Sequence, residues 1–491
     1  MINCEKNFEE SYVNNILPKY GKPRNSEYDD YLLNSSTNLP NIYDKIIDKH
    51  RLNLTDIMVY SIDPEGCMDA DDAFSIWVKD NKLFLSIHIA DPTYYIEMNS
   101  MLWHDILKRA ITHYPSNNKP INMLPQNILE KSSLMTEDDN KQLNAITITF
   151  EIDKMTMLPI DNINLEFTKI NVISENKLTY MEAGNLLNTC LILQQGCEIS
   201  QNLKKLRSEK TLGTKLSELN FIKPKFINGK ISLFGSNESI YESIQQKNEI
   251  MMQEMIAEFA ILTNSYIGTI IQNNLNNSGI FRSCIADFSL KSEQNKLISA
   301  EDILQKIIKD GIHAEYTALI NSKHDLVGTD AYCHFTSPMR RVTDCVCHYL
   351  IKAYFVEKSL PWTVEELDNI AKYCHDVTKK EKSIQYHDYK FRVIQLLSEL
   401  VKNNKIMIGV KINQYTGLFL NCTINKIMID NHNNVMTFNT NISYSLRGRD
   451  FKFNNMQCEE ILIEIKNINI LGKFDEGTLP DLDIFLRNNY M

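Results

Sequence analysis

Ser61-Ile62-Asp63-Pro64-Glu65-Gly66-Cys67-Met68-Asp69-Ala70-Asp71-Asp72 carries five carboxylates within ten residues, and no Lys or Arg stands between Arg51 and Lys79 to neutralise them. Apolar, β-prone runs flank it: Ile57-Met58-Val59-Tyr60 before, Phe74-Ser75-Ile76-Trp77-Val78 after. Pro64 and Gly66 impose a turn between those runs. Acidic side chains are thereby crowded onto a turn at the edge of a sheet core. Carboxylates this close repel, and the repulsion is answered by solvent, a proton, an arginine or a metal ion. A solvated acidic turn is the plain alternative. The short turn and its apolar flanks favour a metal site, and hard divalent cations such as Mg²⁺ or Mn²⁺ choose oxygen donors of this kind. An EF-hand Ca²⁺ loop does not fit, because the fifth and sixth positions from Asp63 are Cys67 and Met68, where an oxygen ligand and a glycine are needed. In an extended chain Asp69 and Asp71 share one face and Asp72 points to the other.

The chain around this loop has 491 residues, 43% apolar and 23% charged, enough for a large core and two or three structural units. No apolar run reaches membrane-spanning length; even Met255 to Ile271 contains Glu258. Glu5, Glu9 and Glu10 replace the apolar core that a signal peptide needs. Eleven scattered cysteines show no paired C-x-x-C spacing. A disulfide framework and structural zinc are therefore poor expectations, and a reducing, cytoplasmic compartment fits best. The net charge of −10 argues against a protein that coats nucleic acid with a basic surface. It leaves room for an enzyme that grips a strand in a local channel.

Residues 1–50 are polar and interrupted by Pro18, Pro23 and Pro40. They are expected to form a partly ordered extension with one short helix near 41–50. Alternation of Leu83, Leu85, Ile87 and Ile89 with Phe84, Ser86 and His88 predicts a strand. Others are expected at about 57–62, 73–78, 144–151 and 163–173. An amphipathic helix is predicted over 101–114. Helix dominates from about 175, with long runs at 250–271, 338–356 and, behind a Thr363/Glu366 capping box, to about 403. From 404 to about 480 short β-prone pieces alternate with Asn/Gly turns, which predicts a small barrel or sandwich. The fold class expected is thus α/β (α+β): an extension (1–50), a catalytic domain with a sheet core wrapped by helices (51–403) and an OB-like C-terminal domain (404–480).

Two further constellations bear on chemistry. Glu258 lies among apolar positions of a predicted helix, where a carboxylate needs a partner. A structural ion pair and an active-site role explain it equally well. Tyr332-Cys333-His334-Phe335-Thr336-Ser337-Pro338-Met339-Arg340-Arg341 places Thr336 or Ser337 as N-cap, Pro338 in the first turn and two arginines where the helix dipole disfavours them. Free N–H groups beside two arginines make a phosphate site. A salt bridge from Arg341 to Asp344 is the second reading.

The acidic loop resembles the signature of the ribonuclease II (RNB) family of exoribonucleases, and the arginine stretch is very similar to that family's H-F-T-S-P-I-R-R segment. His88-Ile89-Ala90-Asp91-Pro92, Arg109 to Tyr114, Asn122 to Pro125, Leu178-Thr179-Tyr180 and Ile280-Phe281-Arg282 look like further family segments in the same order. The resemblance covers about residues 51–400. It implies a metal-dependent 3′→5′ exoribonuclease acting on single-stranded RNA in a channel and releasing 5′-mononucleotides. Asp63, Asp69, Asp71 and Asp72 would hold Mg²⁺ or Mn²⁺, and Arg340 would face the scissile phosphate. Glu258 would face the active site. Tyr114, Tyr180, Arg282 and Arg341 would contact RNA, the tyrosines by stacking. The chain departs from the family pattern at Ala257, Val342 and Tyr349, and fifty residues cannot hold the family's usual pair of N-terminal cold-shock barrels. Two other readings follow from that departure: a catalytically silent RNA-binding relative, or one subunit of a larger RNA-processing complex whose partner supplies RNA capture.

Overall fold

The computed structural model describes residues 2–35, 40–135, 137–227, 229–233, 244–276, 278–286, 298–318, 322–415, 419–430, 435–447 and 460–465. Its centre is a five-stranded sheet in the order β1-β6-β5-β4-β3. The strands are β1 (Leu52–Asn53), β3 (Asp72–Lys79), β4 (Lys82–Ala90), β5 (Leu143–Asp153) and β6 (Leu158–Ile170). β3 to β6 form an antiparallel meander, and β1 adds to β6 in parallel. Val, Ile, Phe and Thr dominate these strands, as a pleated buried surface favours. The run 57–59 stays outside any strand; instead Tyr60 bridges Phe74, and β2 (Ser61–Asp63) pairs in parallel with β7 (Lys177–Thr179).

Helices cover this sheet: α4 (Met101–Arg109), α5 (Gln126–Ser132), α6 (Tyr180–Leu186), α7 (Leu191–Ser208), α8 (Ile244–Asn274), α9 (Ala300–Lys309), α10 (Val342–Phe355) and α11 (Val364–Leu400). α10 is sunk in the core, with Cys345, Val346, Tyr349, Leu350 and Ala353 all inaccessible. It even carries a buried Lys352. Its ammonium donates to Asp44 at 2.6 Å and contacts Asp91 at 2.7 Å, while Arg51 reaches Asp44 at 3.1 Å and Asp91 at 3.7 Å. Two buried anions and two buried cations therefore close on one another. Asp91 and His88, both in a family-like segment, prove structural: the His88 ring sits between Ser75 and Thr147 (3.0 and 2.8 Å), and burial pushes its pKa down to about 3.

The N-terminal residues overturn the expectation of a partly ordered extension. They form α1 (Ile2–Asn15), α2 (Ser26–Asn34) and the short α3 (Asp44–Ile47). Phe8, Tyr12, Ile16 and Tyr20 are buried at four-residue spacing in a second core with Phe391, Ile394 and the C-terminal sheet. Tyr12 and Tyr20 donate to Asp388 at 2.8 and 2.7 Å. Every fourth residue is one helical face, a stripe legible in the sequence. The C-terminal sheet is an antiparallel set of four strands: β12 (Lys405–Tyr415), β13 (Phe419–Asp430), β14 (Val435–Arg447) and β15 (Glu460–Ile465), in the order β14-β13-β12-β15. Among the described residues it is open rather than a closed barrel. The expected end of that domain, 466–480, lies outside the described residues. No described helix is long and apolar enough to cross a membrane, and the cysteines from Cys67 to Cys422 are free thiols.

Candidate active site

The acidic loop is fixed at both ends and in the middle. β2 ends at Asp63 and β3 begins at Asp72. Gly66 takes φ +77°, the left-handed conformation that the turn requires. The Ala70 N–H donates to Ser133 Oγ (3.1 Å), the Leu134 N–H to the Ala70 carbonyl (3.0 Å) and the Ala90 N–H to the Asp71 carbonyl (2.8 Å). Asp63 is buried and accepts from Ser61 Oγ at 2.5 Å; Cys67 Sγ lies 3.8 Å from both Asp63 and Asp69 oxygens.

The arginine stretch folds over this loop, by a route other than the expected one. Helix α10 starts at Val342 with Arg341 as N-cap residue, so Thr336 and Ser337 do not cap it. Residues 335–341 form a tight turn instead. Asn264 of α8 accepts from the Phe335 N–H (2.9 Å), and His348 Nε2 donates to the Phe335 carbonyl (3.0 Å). Asp344 accepts from the Ser337 N–H (2.8 Å), and Asp71 Oδ1 from the Met339 N–H (2.8 Å). Three of the turn's amide donors are therefore spoken for by side chains, and those of Arg340 and Arg341 by the Ser337 carbonyl.

Arg340 is the exception in reach. Its Nε donates to Asp71 Oδ2 at 3.2 Å and its Nη2 to Ser337 Oγ at 2.9 Å, yet its side chain stays 47% exposed. Arg341, expected at RNA, spends Nε and Nη2 on Asp344, bidentately at 2.8 and 2.9 Å, as the salt-bridge reading has it. Glu258 too is held by a partner within the protein. Both of its oxygens accept from Arg207 of α7, whose Nη1 donates to the Val327 carbonyl at 2.7 Å. The structure thus brings Glu258 to Arg207, a partner fifty-one residues away that no local pattern announces. Arg282 is buried rather than a surface contact, lies over the Tyr316 ring at 4.6 Å and leaves Nη1 without a partner among the described residues.

The two tyrosines do reach the loop. α4 stops at Arg109, where Ala110 takes φ +61°, and the chain then runs beside the arginine turn. Ile111 bridges Arg341, and the Thr112 N–H donates to the Arg340 carbonyl at 3.0 Å. That carries Tyr114, 42% exposed, toward Asp69 and Asp71. Tyr180 follows the β2–β7 pairing and opens α6 behind the Thr179 capping box, near Asp72 and Asp63. Burial raises both phenol pKa values, and the neighbouring carboxylates raise them further. The rings therefore flank the acidic loop from two sides.

Electrostatically the loop is unfinished. Burial pushes Asp71 up to about 8 against the pull of Arg340 and of the Met339 N–H. Burial, reinforced by the Asp63 charge, pushes Asp72 up to about 7. Asp63 and Asp69 are raised too, burial again leading. One half-exposed guanidinium does not balance four carboxylates. An all-oxygen donor set, buried and short of positive charge, suits a hard divalent cation.

Comparison with known proteins agrees with this geometry. The RNB domain matches residues 51–357. The ribonuclease R of Helicobacter pylori is 23% identical over 430 residues, 77% of this chain and 62% of that protein. The chain spans about half the length of the curated relatives it matches. Among solved structures, Mycoplasma genitalium RNase R in complex with ribose-methylated single-stranded RNA superposes with a TM-score of 0.63 at 15% identity, covering 93% of this chain and 78% of that one. Yeast Ssd1, a pseudonuclease, superposes at 0.60 with 18% identity, covering 84% of this chain and 52% of that one. With more than half of its length matched by that domain, the chain belongs to the RNB family.

Proposed function

We propose that the protein is a metal-dependent exoribonuclease that shortens single-stranded RNA from its 3′ end and releases 5′-mononucleotides. What carries the reading is one juxtaposition: four carboxylates, Asp63 and Asp71 buried and Asp69 and Asp72 half-buried, with Arg340 bonded to Asp71 yet half exposed above them. Asp63, Asp69 and Asp72 would hold Mg²⁺ or Mn²⁺, with Asp71 contributing beside its bonds to the arginine turn. The ion, when bound, would lower the pKa of a water nucleophile and draw charge from the leaving 3′ oxygen. Arg340 presents its guanidinium where the phosphate gains charge during in-line attack, a fixed cation that needs no reorganisation. Asp71 aims that guanidinium and fixes the turn through Met339. Tyr114 and Tyr180 offer faces on which bases stack, a sequence-tolerant grip suited to degradation.

A silent RNA binder is the second reading, favoured by the shared fold of the pseudonuclease Ssd1. The retained carboxylates and Arg340 favour activity. The test is a 5′-labelled single-stranded RNA of about thirty nucleotides with Mg²⁺ or EDTA, resolved on a denaturing gel. Stepwise shortening from the 3′ end with Mg²⁺ alone is expected, and Asp71→Asn is expected to bind RNA without turnover. Intact RNA after incubation with folded, RNA-bound wild-type protein would transfer the assignment to the silent binder.

A further inference from the structure

Among the described residues, the His/Cys/Asp/Glu trio whose ligand atoms all lie within 4.8 Å of one another is not in the acidic loop. It is His313, Glu315 and His375. His313 and Glu315 stand two apart at the start of β11 (Glu315–Thr317), so in extended chain they face the same way. α11 packs across β11 and supplies His375. Gly311, at φ +62°, turns the chain out of α9 to make this approach.

Three observations mark the trio as a chelate rather than a chance neighbourhood. The His313 ring donates Nδ1–H to the Gly311 carbonyl at 2.7 Å, which fixes its tautomer and leaves the Nε2 lone pair outward. That is the outer-shell bond that metal-binding histidines use. His375 Nδ1 is buried and has no hydrogen-bond partner. The Glu315 carboxylate has neither ion pair nor hydrogen bond among the described residues, although two imidazoles adjoin it. The rings stand 6.0 Å apart between centroids, so two nitrogens and one oxygen converge without bonding one another. His313 and Glu315 are exposed, which gives an ion access from solvent.

We propose that His313, Glu315 and His375 bind a divalent transition cation of the Zn²⁺ class, clamping β11, and with it the strand β10 that pairs antiparallel to it, to α11. β10 is Phe281–Ser283. Two imidazoles and a carboxylate are borderline donors that prefer Zn²⁺ or Co²⁺ to Mg²⁺, and three protein ligands leave a further position for water. The clamp reaches the arginine turn, because Tyr316, next to Glu315, bonds its hydroxyl to His334 Nδ1 at 2.7 Å.

The test is Co²⁺ titration of the chelator-stripped full chain, read by visible absorption, with Zn²⁺ as competitor. Expected is one equivalent of Co²⁺ with the intense bands of a four- or five-coordinate nitrogen site, displaced by Zn²⁺. Those bands persist in Asp71→Asn. Affinity falls at least about tenfold in His313→Gln and in His375→Gln, while circular dichroism and the metal-free thermal midpoint match the wild type. Should either glutamine variant fold poorly, Glu315→Gln, on an exposed side chain, carries the same expectation. Unchanged Co²⁺ affinity in these variants, only weak six-coordinate bands that vanish in Asp71→Asn, or no binding by the wild type would each overturn the site.

Discussion

Two groups of buried aspartates sit on the central sheet, and they are treated in opposite ways. Asp44 and Asp91 are enclosed with Lys352 and Arg51, every side chain inaccessible and every charge answered inside the protein. Burial alone would raise both; at Asp91 Lys352 and Arg51 outweigh it and hold the carboxyl below its usual range, while at Asp44 burial still leads and lifts the carboxyl to about 6. Asp63, Asp69, Asp71 and Asp72 have Arg340, and burial prevails in all four. The first group is closed structure. The second is left short of positive charge, the shortfall that the proposed metal ion would make good.

Removing Lys352 gives the largest expected effect. Lys352→Met leaves two buried carboxylates to Arg51 alone and is expected to cost about 3–5 kcal/mol of stability by chemical denaturation. Asp71→Asn, which relieves repulsion, is expected to cost far less; equal losses would erase the distinction between the groups. Arg340→Gln comes next, with kcat lower by about 10²–10³ at an unchanged thermal midpoint. A stability loss matching that of Lys352→Met would make Arg340 structural. Tyr114→Ala is expected to weaken binding of single-stranded RNA in EDTA by about 1–3 kcal/mol, measured by fluorescence anisotropy. An unaltered anisotropy curve would remove Tyr114 from the RNA path.

The smallest effect is a difference in pH response. Asp71 and Asp72 titrate near 8 and 7 when folded, against an ordinary value of 3.8. Between those limits the folded chain holds protons that the unfolded chain has released, so this contribution to stability falls as pH rises. Asp91 has the opposite sign: its contribution is present above 3.8 and lost on acidification. In EDTA the thermal midpoint of the wild type is therefore expected to drop more between about pH 5 and pH 8 than that of Asp71→Asn, and saturating Mg²⁺ is expected to abolish the difference. Parallel curves without metal would show the loop to be as self-sufficient as the closed network.

The sheet and the acidic loop were legible because they are local. Alternation along 82–90 and charge without counter-charge between Arg51 and Lys79 are one-dimensional signals. The β2–β7 pairing that brings Tyr180 near Asp63 joins residues more than a hundred positions apart, and there only family resemblance singled the tyrosine out. Glu258 shows the limit: burial among apolar residues demanded a partner, yet the sequence could not say that Arg207 would be it. Arg341 went to Asp344 because a partner three residues away is always within reach, whereas Arg340 had to wait for the loop to fold beneath it. The N-terminal helices were legible and missed, because the prolines drew attention from the spacing of Phe8, Tyr12, Ile16 and Tyr20.

That same N-terminal stripe has a consequence for synthesis. Tyr12 finds its acceptor, Asp388, only after 376 further residues. At ribosomal rates of roughly 5–20 residues per second that is a wait of roughly 20–75 seconds. Throughout it, the large side chains of Phe8, Tyr12, Ile16 and Tyr20 stand uncovered. This stripe is made long before the helix it packs on, and until α11 emerges the nascent chain presents a chaperone with an apolar target.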